Sequence, residues 1–457
     1  MPNHIPCDAA PHASDITRIH ISETTRAFID AHTGEDPRDL ALHAKRGEPG
    51  LDLPFALDQI AGRRIARTKL PAWAACSGVI YPAHVPMEQC SSQFTARTKA
   101  WLACELIAGL PHPTRLVDLT GGLGVDFWAL AQQFDEAVYV ERQPQLCALA
   151  AHNLHALGVR NVRVECTDGV EFLRTMPPAS MIYVDPARRD AHGSRTYAIE
   201  DCTPDVLALR GELLAKAPVV MIKLSPMLDW RKTVEDFQGA VQRVAVVSTG
   251  NECKELLLML TRASHGDVRV DCINDGDTVT FTTAEDQRPS IAPAGSIERM
   301  RYLVEPNASI MKAGAFAALQ RQCPGLAQIG PNSHLFVGEQ PVGAVPGRAF
   351  EIARTGGMGK RELKALLEGV THANIAVRNF PLTAPQLRRR LKLKDGGNDY
   401  LFATTDAGGR HVLILAHKAP RNHMNMGAQR QPTVIRNPTR MNPNAMARFQ
   451  KPMPGIG

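Results

Sequence analysis

The sequence predicts an α/β fold on a parallel sheet, with a helical region before it and a smaller α+β domain after it. Three observations carry that reading. From about residue 115, short apolar strands alternate with helical stretches. Two further apolar segments, "VQRVAVVS" and "LLLMLTR", are joined only by "TGNECKE", too short for a crossover, so they form an antiparallel pair. From about residue 290 the chain turns to short mixed segments. At 457 residues it exceeds one ordinary core, and two or three domains are expected.

Residues 1–19 are polar and irregular, and are expected to be flexible. Residues 20–110 read as helices, "SETTRAFIDAHTGED", "DPRDLALHAKR" and "PFALDQIAGRRIARTKL", separated by Gly and Pro breakers. The last of them, "SSQFTARTKAWLACELIAGL", has Ser91 or Ser92 as a cap and Phe94, Trp101, Leu102, Leu106 and Ile107 as its expected buried stripe. Residues 111–288 hold the alternation: "RLVDL", "AVYVE", "NVRVEC", "MIYVD" and "VVMIK" as strands, with helical stretches among them, closed by the antiparallel pair. Residues 289–418 form the α+β region, from "MRYLVEPNASIMKAG" to "HVLILAHK".

Residues 419–457 make a Pro-, Asn- and Met-rich tail, expected to be disordered. From Lys418 onward the chain carries seven basic residues and no acid, so without that +7 the net charge of +6 becomes −1. Such a tail suits electrostatic search along RNA, or is a plain solvated extension. The ten cysteines show no CxxC spacing, which argues against a zinc site or disulfide framework; most are expected to be small buried hydrophobes, with no metal bound. No apolar span reaches membrane length and no secretory leader is seen, so a cytoplasmic location is expected.

The chemistry concentrates at the carboxyl ends of the strands. In "LVDLTGGLGVDF", Gly121, Gly122 and Gly124 let the backbone turn tightly and approach a ligand, and the following helix offers free N–H groups. Glu141 ends the second strand, suitably placed to accept from both ribose hydroxyls of NAD or of S-adenosylmethionine. Asp168 after the third strand fits an adenine amino group, a helix N-cap, or both. Asp185 and Pro186 end the fourth strand in "MIYVDPARRD", where a carboxylate and a carbonyl can orient an acceptor. Arg188 offers a planar fork to a phosphate or base carbonyl; alternatively, Arg188 and Arg189 bridge to Glu200 or Asp201. Ser225 stands where a carbon-methylating enzyme would carry a cysteine, and nothing marks Cys253 as an activated thiol. An NAD oxidoreductase is disfavoured because the loop lacks the six-residue GxGxxG spacing and needs no Asp185-Pro186 step.

Together, "EQCSSQFTARTKA", "DLTGGLGVD", "VYVERQ", "DPARRD", "KLSPMLD", "GNECKEL", "LVEPNASIMKAG" and "ANIAVRNFPLTAPQLRRRLKLKDGGNDYLFATT" resemble a bacterial group of class I S-adenosylmethionine-dependent methyltransferases with a THUMP-like C-terminal domain. The resemblance spans most of residues 88–418 and implies a Rossmann-like sheet, parallel with a terminal antiparallel hairpin. It implies that Asp118, Gly121, Gly122, Gly124, Glu141 and Asp168 hold S-adenosylmethionine. Ser92, Thr95 and Lys99 would point inward over the donor, and Asp185, Pro186 and Arg188 would face the target. Base-methylating relatives commonly carry acid or amide, Pro, Pro, aromatic at this step; here Ala187 and Arg188 replace the second proline and the ring. THUMP domains bind structured RNA, so a tRNA or rRNA base is the implied substrate. The basic run Arg388, Arg389, Arg390, Lys392 and Lys394, with Arg378, Lys360, Arg361 and Lys364 near it in sequence, suits phosphates, or is an ordinary solvated helix face. The alternatives are a methyltransferase for a small molecule or protein, and a non-catalytic RNA-binding protein on the same fold.

Overall fold

The computed structural model describes residues 21–43, 48–82, 85–188, 199–285 and 287–419. The chain divides into two compact units. One contains the residues up to Val241 with Leu257–Ser264; the other contains Gln242–Leu256 and the chain from His265 onward. The expected flexible start and basic tail lie outside the described residues apart from Lys418 and Ala419.

The first unit begins with helices, as the breakers predict. Helices Glu23–Ala31, Pro37–His43 and Leu53–Lys69 bury Ile29, Leu40, Ala56 and Ile60 against one another. Helix Gln93–Ile107 is capped by Ser92, whose hydroxyl accepts from the Thr95 N–H. Its buried side differs from the expected stripe. Phe94, Trp101 and Leu106 are only partly buried, while Ala96, Ala100, Leu102, Ala103 and Ile107 are enclosed along with Thr95, Thr98 and Lys99. Small residues let it approach helix Val125–Ala131 closely, so the larger side chains are left at its margins.

The strands of the first sheet are β1 (Arg115–Asp118), β2 (Glu136–Glu141), β3 (Val162–Cys166), β4 (Met181–Val184), β7 (Val219–Leu224), β8 (Val241–Thr249), β9 (Glu252–Thr261), β10 (Arg269–Asn274) and β11 (Asp277–Thr282). Between β4 and β7, the two-residue strands β5 (Ala187–Arg188) and β6 (Cys202–Thr203) form their own small ladder. The sheet order is β11-β10-β8-β9-β7-β4-β1-β2-β3. Strands β3, β2, β1, β4 and β7 are parallel, with Leu116 opposite Ala137 and Met181, and Met181 opposite Val219. All four residues of β4 are buried, which is why the sequence there shows no alternation. Strands β8 and β9 are joined by Gly250 and Asn251, both at positive φ (57° and 62°), the signature of a two-residue hairpin turn. Strands β10 and β11 extend the sheet beyond the expected hairpin, turning at Asp275-Gly276; the Asp-Gly step in "INDGDTV" is the sequence signal for that turn.

In the second unit, β12 (Tyr302–Pro306), β13 (Ala327–Gln328), β14 (Phe336–Gly338), β15 (Gly347–Gly356), β16 (Asn374–Val377), β17 (Asp399–Thr405) and β18 (His411–Lys418) form a sheet in the order β13-β14-β12-β15-β18-β17-β16. Alternate residues of β17 and β18 face opposite cores. Phe402, Val412 and Ile414 join one cluster with Phe350, while Leu401, Ala403, Leu413 and Leu415 join another. Helices Lys360–Leu366 and Ala384–Leu391 both place a leucine, Leu366 and Leu387, in that second cluster, so both cover the same face. Strand β15 escapes a reading by sequence because, Phe350 apart, its residues are exposed or half-buried, without a strong apolar run. Among the described residues no helix is long and apolar enough to cross a membrane.

Candidate active site

A pocket opens at the carboxyl ends of β1, β4 and β7, with about 370 Å³ of space free of protein atoms, including the solvent at its mouth. It is built from the first unit alone. Strand β1 ends at Asp118, buried, whose Oδ1 accepts from the Thr120 N–H (2.9 Å) and hydroxyl (3.3 Å). The chain then turns through the glycines, with Gly121 N–H donating to the Val140 carbonyl and Gly124 N–H to the Gly121 carbonyl. Gly122 and Gly124 take positive φ, 54° and 80°. Gly121 is constrained differently, since a Cβ there would fall inside the Tyr139 ring. The Tyr139 hydroxyl donates to the Gly122 carbonyl, and Glu141 accepts from the Gly122 N–H (3.0 Å), so β2 holds the turn in shape.

Charged side chains line the floor. Asp126 lies in the first turn of helix Val125–Ala131, where it accepts from the hydroxyls of Ser91 (2.8 Å) and Tyr183 (2.9 Å). It pairs with Lys99 at 3.2 Å and Lys223 at 3.5 Å, and Lys99 is fully buried. Lys223 also donates to Asp185 Oδ2 at 2.6 Å. The Asp185 N–H donates to Thr120 Oγ1 (2.7 Å), fixing the acid beside the glycine turn. Burial pushes the Asp118 pKa up to about 8; the Thr120 N–H opposes this, and the charges of Asp126 and Asp185 add to it. Burial also works against the charge on Asp126. Lys99 and Lys223, with the Ser91 and Tyr183 hydroxyls, nevertheless hold its carboxyl below the usual range.

This lining selects a ligand by charge. Its one cation among the described residues, Lys223, is already held by Asp126 and Asp185, and Asp118, its pKa raised to about 8, is uncharged at neutral pH, so the lining offers a pyrophosphate no basic patch, which disfavours a dinucleotide. The helix after the glycines is only seven residues long, so the N–H groups expected to draw a ligand form a small part of the site. A cationic ligand bearing a ribose fits better: carboxylates for the positive charge, close backbone at the glycines, and Glu141 for hydroxyls.

Of the residues singled out in the sequence, Asp118, Gly121, Gly122, Gly124 and Asp185 line this pocket. Glu141 reaches it through Gly122, and Pro186 is buried beside Asp185. Asp168 caps helix Gly169–Thr175, its Oδ1 accepting from the N–H groups of Val170 and Glu171, and is itself exposed. Ser92 and Thr95 bond to each other in capping their helix and do not line the pocket; Ser91 does. Lys99 does not line the pocket and pairs with Asp126, which does. Arg188 is placed by its backbone, paired with Cys202, and Arg189 lies outside the described residues.

Asp126, Tyr183, Lys223, Ser91, Thr120 and Cys90 also line the pocket and were not singled out. Lys223 had a signal, a lysine inside the apolar run "VVMIKL". Cys90 lines the pocket and Cys253 does not. Burial pushes both thiols up, that of Cys253 to about 11, so neither favours the thiolate. Four described cysteines (Cys147, Cys202, Cys272, Cys323) are buried, four are half-buried and Cys166 is exposed; that is fewer enclosed than expected, because several sit at helix and turn margins.

In the second unit, Arg389, Arg390, Lys392 and Lys394 are exposed around the end of helix Ala384–Leu391. Arg388 differs from them. It donates to the Ala373 carbonyl and pairs with Asp395 at 2.6 Å, so it ties the helix end down. Arg378 likewise pairs with the buried Glu305. Lys360, Arg361 and Lys364 are exposed on the neighbouring helix. Among the described residues, no cluster of His, Cys, Asp and Glu could hold a metal.

Comparison with known proteins places these features in context. Residues 79–191 match the family described as protein-L-isoaspartate(D-aspartate) O-methyltransferase, residues 302–346 a ferredoxin-like domain, and residues 347–418 a THUMP-like domain. A solved methyltransferase structure from Porphyromonas gingivalis W83 is 33% identical with a TM-score of 0.75, covering 90% of this chain and 100% of that one. An uncharacterized S-adenosylmethionine-dependent methyltransferase of Mycobacterium tuberculosis is 24% identical over 282 residues, 61% of this chain and 73% of that protein.

Proposed function

The chain belongs to the class I S-adenosylmethionine-dependent methyltransferases with a THUMP-like C-terminal domain, and we propose that its substrate is structured RNA, tRNA or rRNA. The observation that carries the catalytic half of this reading is the open cavity, lined by aspartates and Lys223, between the glycine turn and the Asp185-Pro186 step. The donor set fits the cofactor, because carboxylates and closely approaching backbone suit a cation with a ribose. We assign Asp118, Gly121, Gly122, Gly124 and Glu141 to holding it, with Asp168 at the rim and Lys99 acting through Asp126. When bound, S-adenosylmethionine supplies a methyl carbon made electrophilic by its sulfonium sulfur. Asp185 and Pro186 hold the acceptor on the other side of the slot, and their alignment supplies most of the rate. Arg188 would meet a phosphate or carbonyl of the acceptor.

RNA is supported by the THUMP-like match and by the exposed Arg389, Arg390, Lys392 and Lys394, with Lys360, Arg361 and Lys364 on the next helix. Such a surface holds phosphates without reading sequence. The nine described cysteines are free thiols, which suits the reducing cytoplasm, where we place the protein. The second reading, methylation of a protein, is favoured by the protein O-methyltransferase match, which ends at residue 191, before Lys223.

Gel-shift titration with bulk tRNA and rRNA across salt concentrations separates the two. We expect binding that weakens steeply with salt. No binding even at low ionic strength would remove RNA as the substrate. Calorimetry with S-adenosylhomocysteine checks the donor site independently.

A further inference from the structure

The rim of the pocket presents an ammonium group beside the acid that would steer the acceptor. Lys223 keeps 17% of its side chain exposed and donates to Asp185 Oδ2 at 2.6 Å, with Asp126 Oδ2 3.5 Å away. Asp185 is fixed from its backbone by Thr120. An incoming acceptor therefore meets a donor and an acceptor side by side.

The acceptor atoms in RNA respond differently to such a pair, and a ring nitrogen of a base either donates through its N–H or accepts through its lone pair, not both at once. The exocyclic amine of a base carries N–H donors and a lone pair delocalised into the ring. It can donate to Asp185, but it has nothing to offer Lys223, and its hydrogens face those of the ammonium. A hydroxyl does both, accepting from Lys223 while donating to Asp185. Charge-assisted bonds of this kind are the stronger ones.

We infer that the acceptor atom is a hydroxyl oxygen, the ribose 2′-OH on the RNA reading on which this rests, and that Lys223 positions it. The hydroxyl oxygen forms a bond to the methyl carbon while the carbon–sulfur bond breaks, its electron pair staying on sulfur. The hydroxyl proton passes to the Asp185 carboxylate and from there to solvent. Lys223 stabilises the negative charge that develops on oxygen before the proton has left. Asp126, paired with Lys99 on its other side, keeps the lysine at the rim.

The test uses the full chain, labelled S-adenosylmethionine and total RNA from a strain lacking the gene, with digestion to nucleosides and mass spectrometry. A 2′-O-methylated nucleoside is expected. A methyl group on a base overturns the hydroxyl assignment and leaves RNA standing. Label on a hydroxyl outside RNA overturns the RNA reading alone, and label on nitrogen or a carboxylate outside RNA overturns both; no transfer to any acceptor overturns the assignment as well. Lys223→Met should lower kcat by about 100-fold or more, with S-adenosylhomocysteine affinity and melting temperature near the parent values. Lys223→Arg, which still donates, should recover part of the rate. Loss of S-adenosylhomocysteine affinity and thermal stability in both variants would mean that Lys223 is only structural. In a binding assay free of turnover, RNA with 2′-deoxy substitution should bind more weakly than RNA to the S-adenosylhomocysteine complex of the parent and equally to that of Lys223→Met; no preference in the parent overturns the inference.

Discussion

The charges in the pocket and the charges on the THUMP-like domain are held under opposite conditions. Lys99 is fully enclosed and Asp126 nearly so; the two are paired, and Asp126 also accepts from the Ser91 and Tyr183 hydroxyls. Arg389, Arg390, Lys392 and Lys394 stand in water. Burying an ion costs several kcal/mol unless it is well paired, so a sequence that sets paired lysines and aspartates around one cavity is specifying a geometry. An exposed lysine costs almost nothing, and its meaning comes only from being one of many. Substitutions should therefore act singly and sharply in the first region, and collectively in the second.

The largest effect is expected at Asp185. Asp185→Ala should reduce turnover by about 100-fold or more, with donor affinity nearly intact; calorimetry and single-turnover kinetics on the same sample would reveal a variant that instead lost the donor. Next is Lys99→Ala, which removes one partner of a buried pair and should cost about 3–5 kcal/mol of stability, read by denaturant unfolding. A change below 1 kcal/mol would show that Lys223 alone suffices for Asp126. Glu141→Ala should weaken S-adenosylhomocysteine binding about tenfold or more, as expected for lost hydrogen bonds to a charged group; unchanged affinity would remove Glu141 from the site. Reversing Arg389, Arg390, Lys392 and Lys394 together to Glu should weaken RNA binding and flatten its salt dependence by roughly one unit of slope for each phosphate no longer neutralised, while each single change stays small. One dominant residue among the four would break the contrast between the regions.

The last expected effect concerns protons. Asp118 titrates at about 8 in the fold, against 3.8 as its ordinary value. The folded state therefore binds this proton more tightly than the unfolded one, and stability falls as pH rises between those values. Asp118→Asn should then melt at a higher temperature than the parent at pH 8, the gap closing toward pH 4. Donor affinity in the parent should rise with pH through about 8, as the carboxylate that would meet a cation becomes charged. A flat pH profile in isothermal titration would place that proton elsewhere.

Much of this was readable from residue order, because strand and helix periods differ and glycine, proline and capping serines punctuate them. The parallel strands, the hairpin at "TGNECKE" and the helix capped by Ser92 follow from local rules. The partners of Asp185 do not. Lys223 lies far from it in sequence and meets it because the sheet sets β7 beside β4, and Asp126 is joined to it through Lys223. Their signal was a charged residue in an otherwise apolar run, which shows that something pairs with it and not what. Arg388 shows the converse. It reads as one member of a basic run, yet its bonds to Ala373 and Asp395 take it out of the exposed set.

The Tyr139 ring beneath Gly121 links two positions that are eighteen residues apart. Because any side chain at 121 would have to occupy the space of that ring, neither site can drift freely while the other stays fixed. In a randomised library selected for a working enzyme, survivors bearing alanine or serine at 121 should carry a smaller residue at 139, and those survivors would also have lost the phenolic brace on Gly122. An ancestor that set this tyrosine in place would have left its descendants a one-way door.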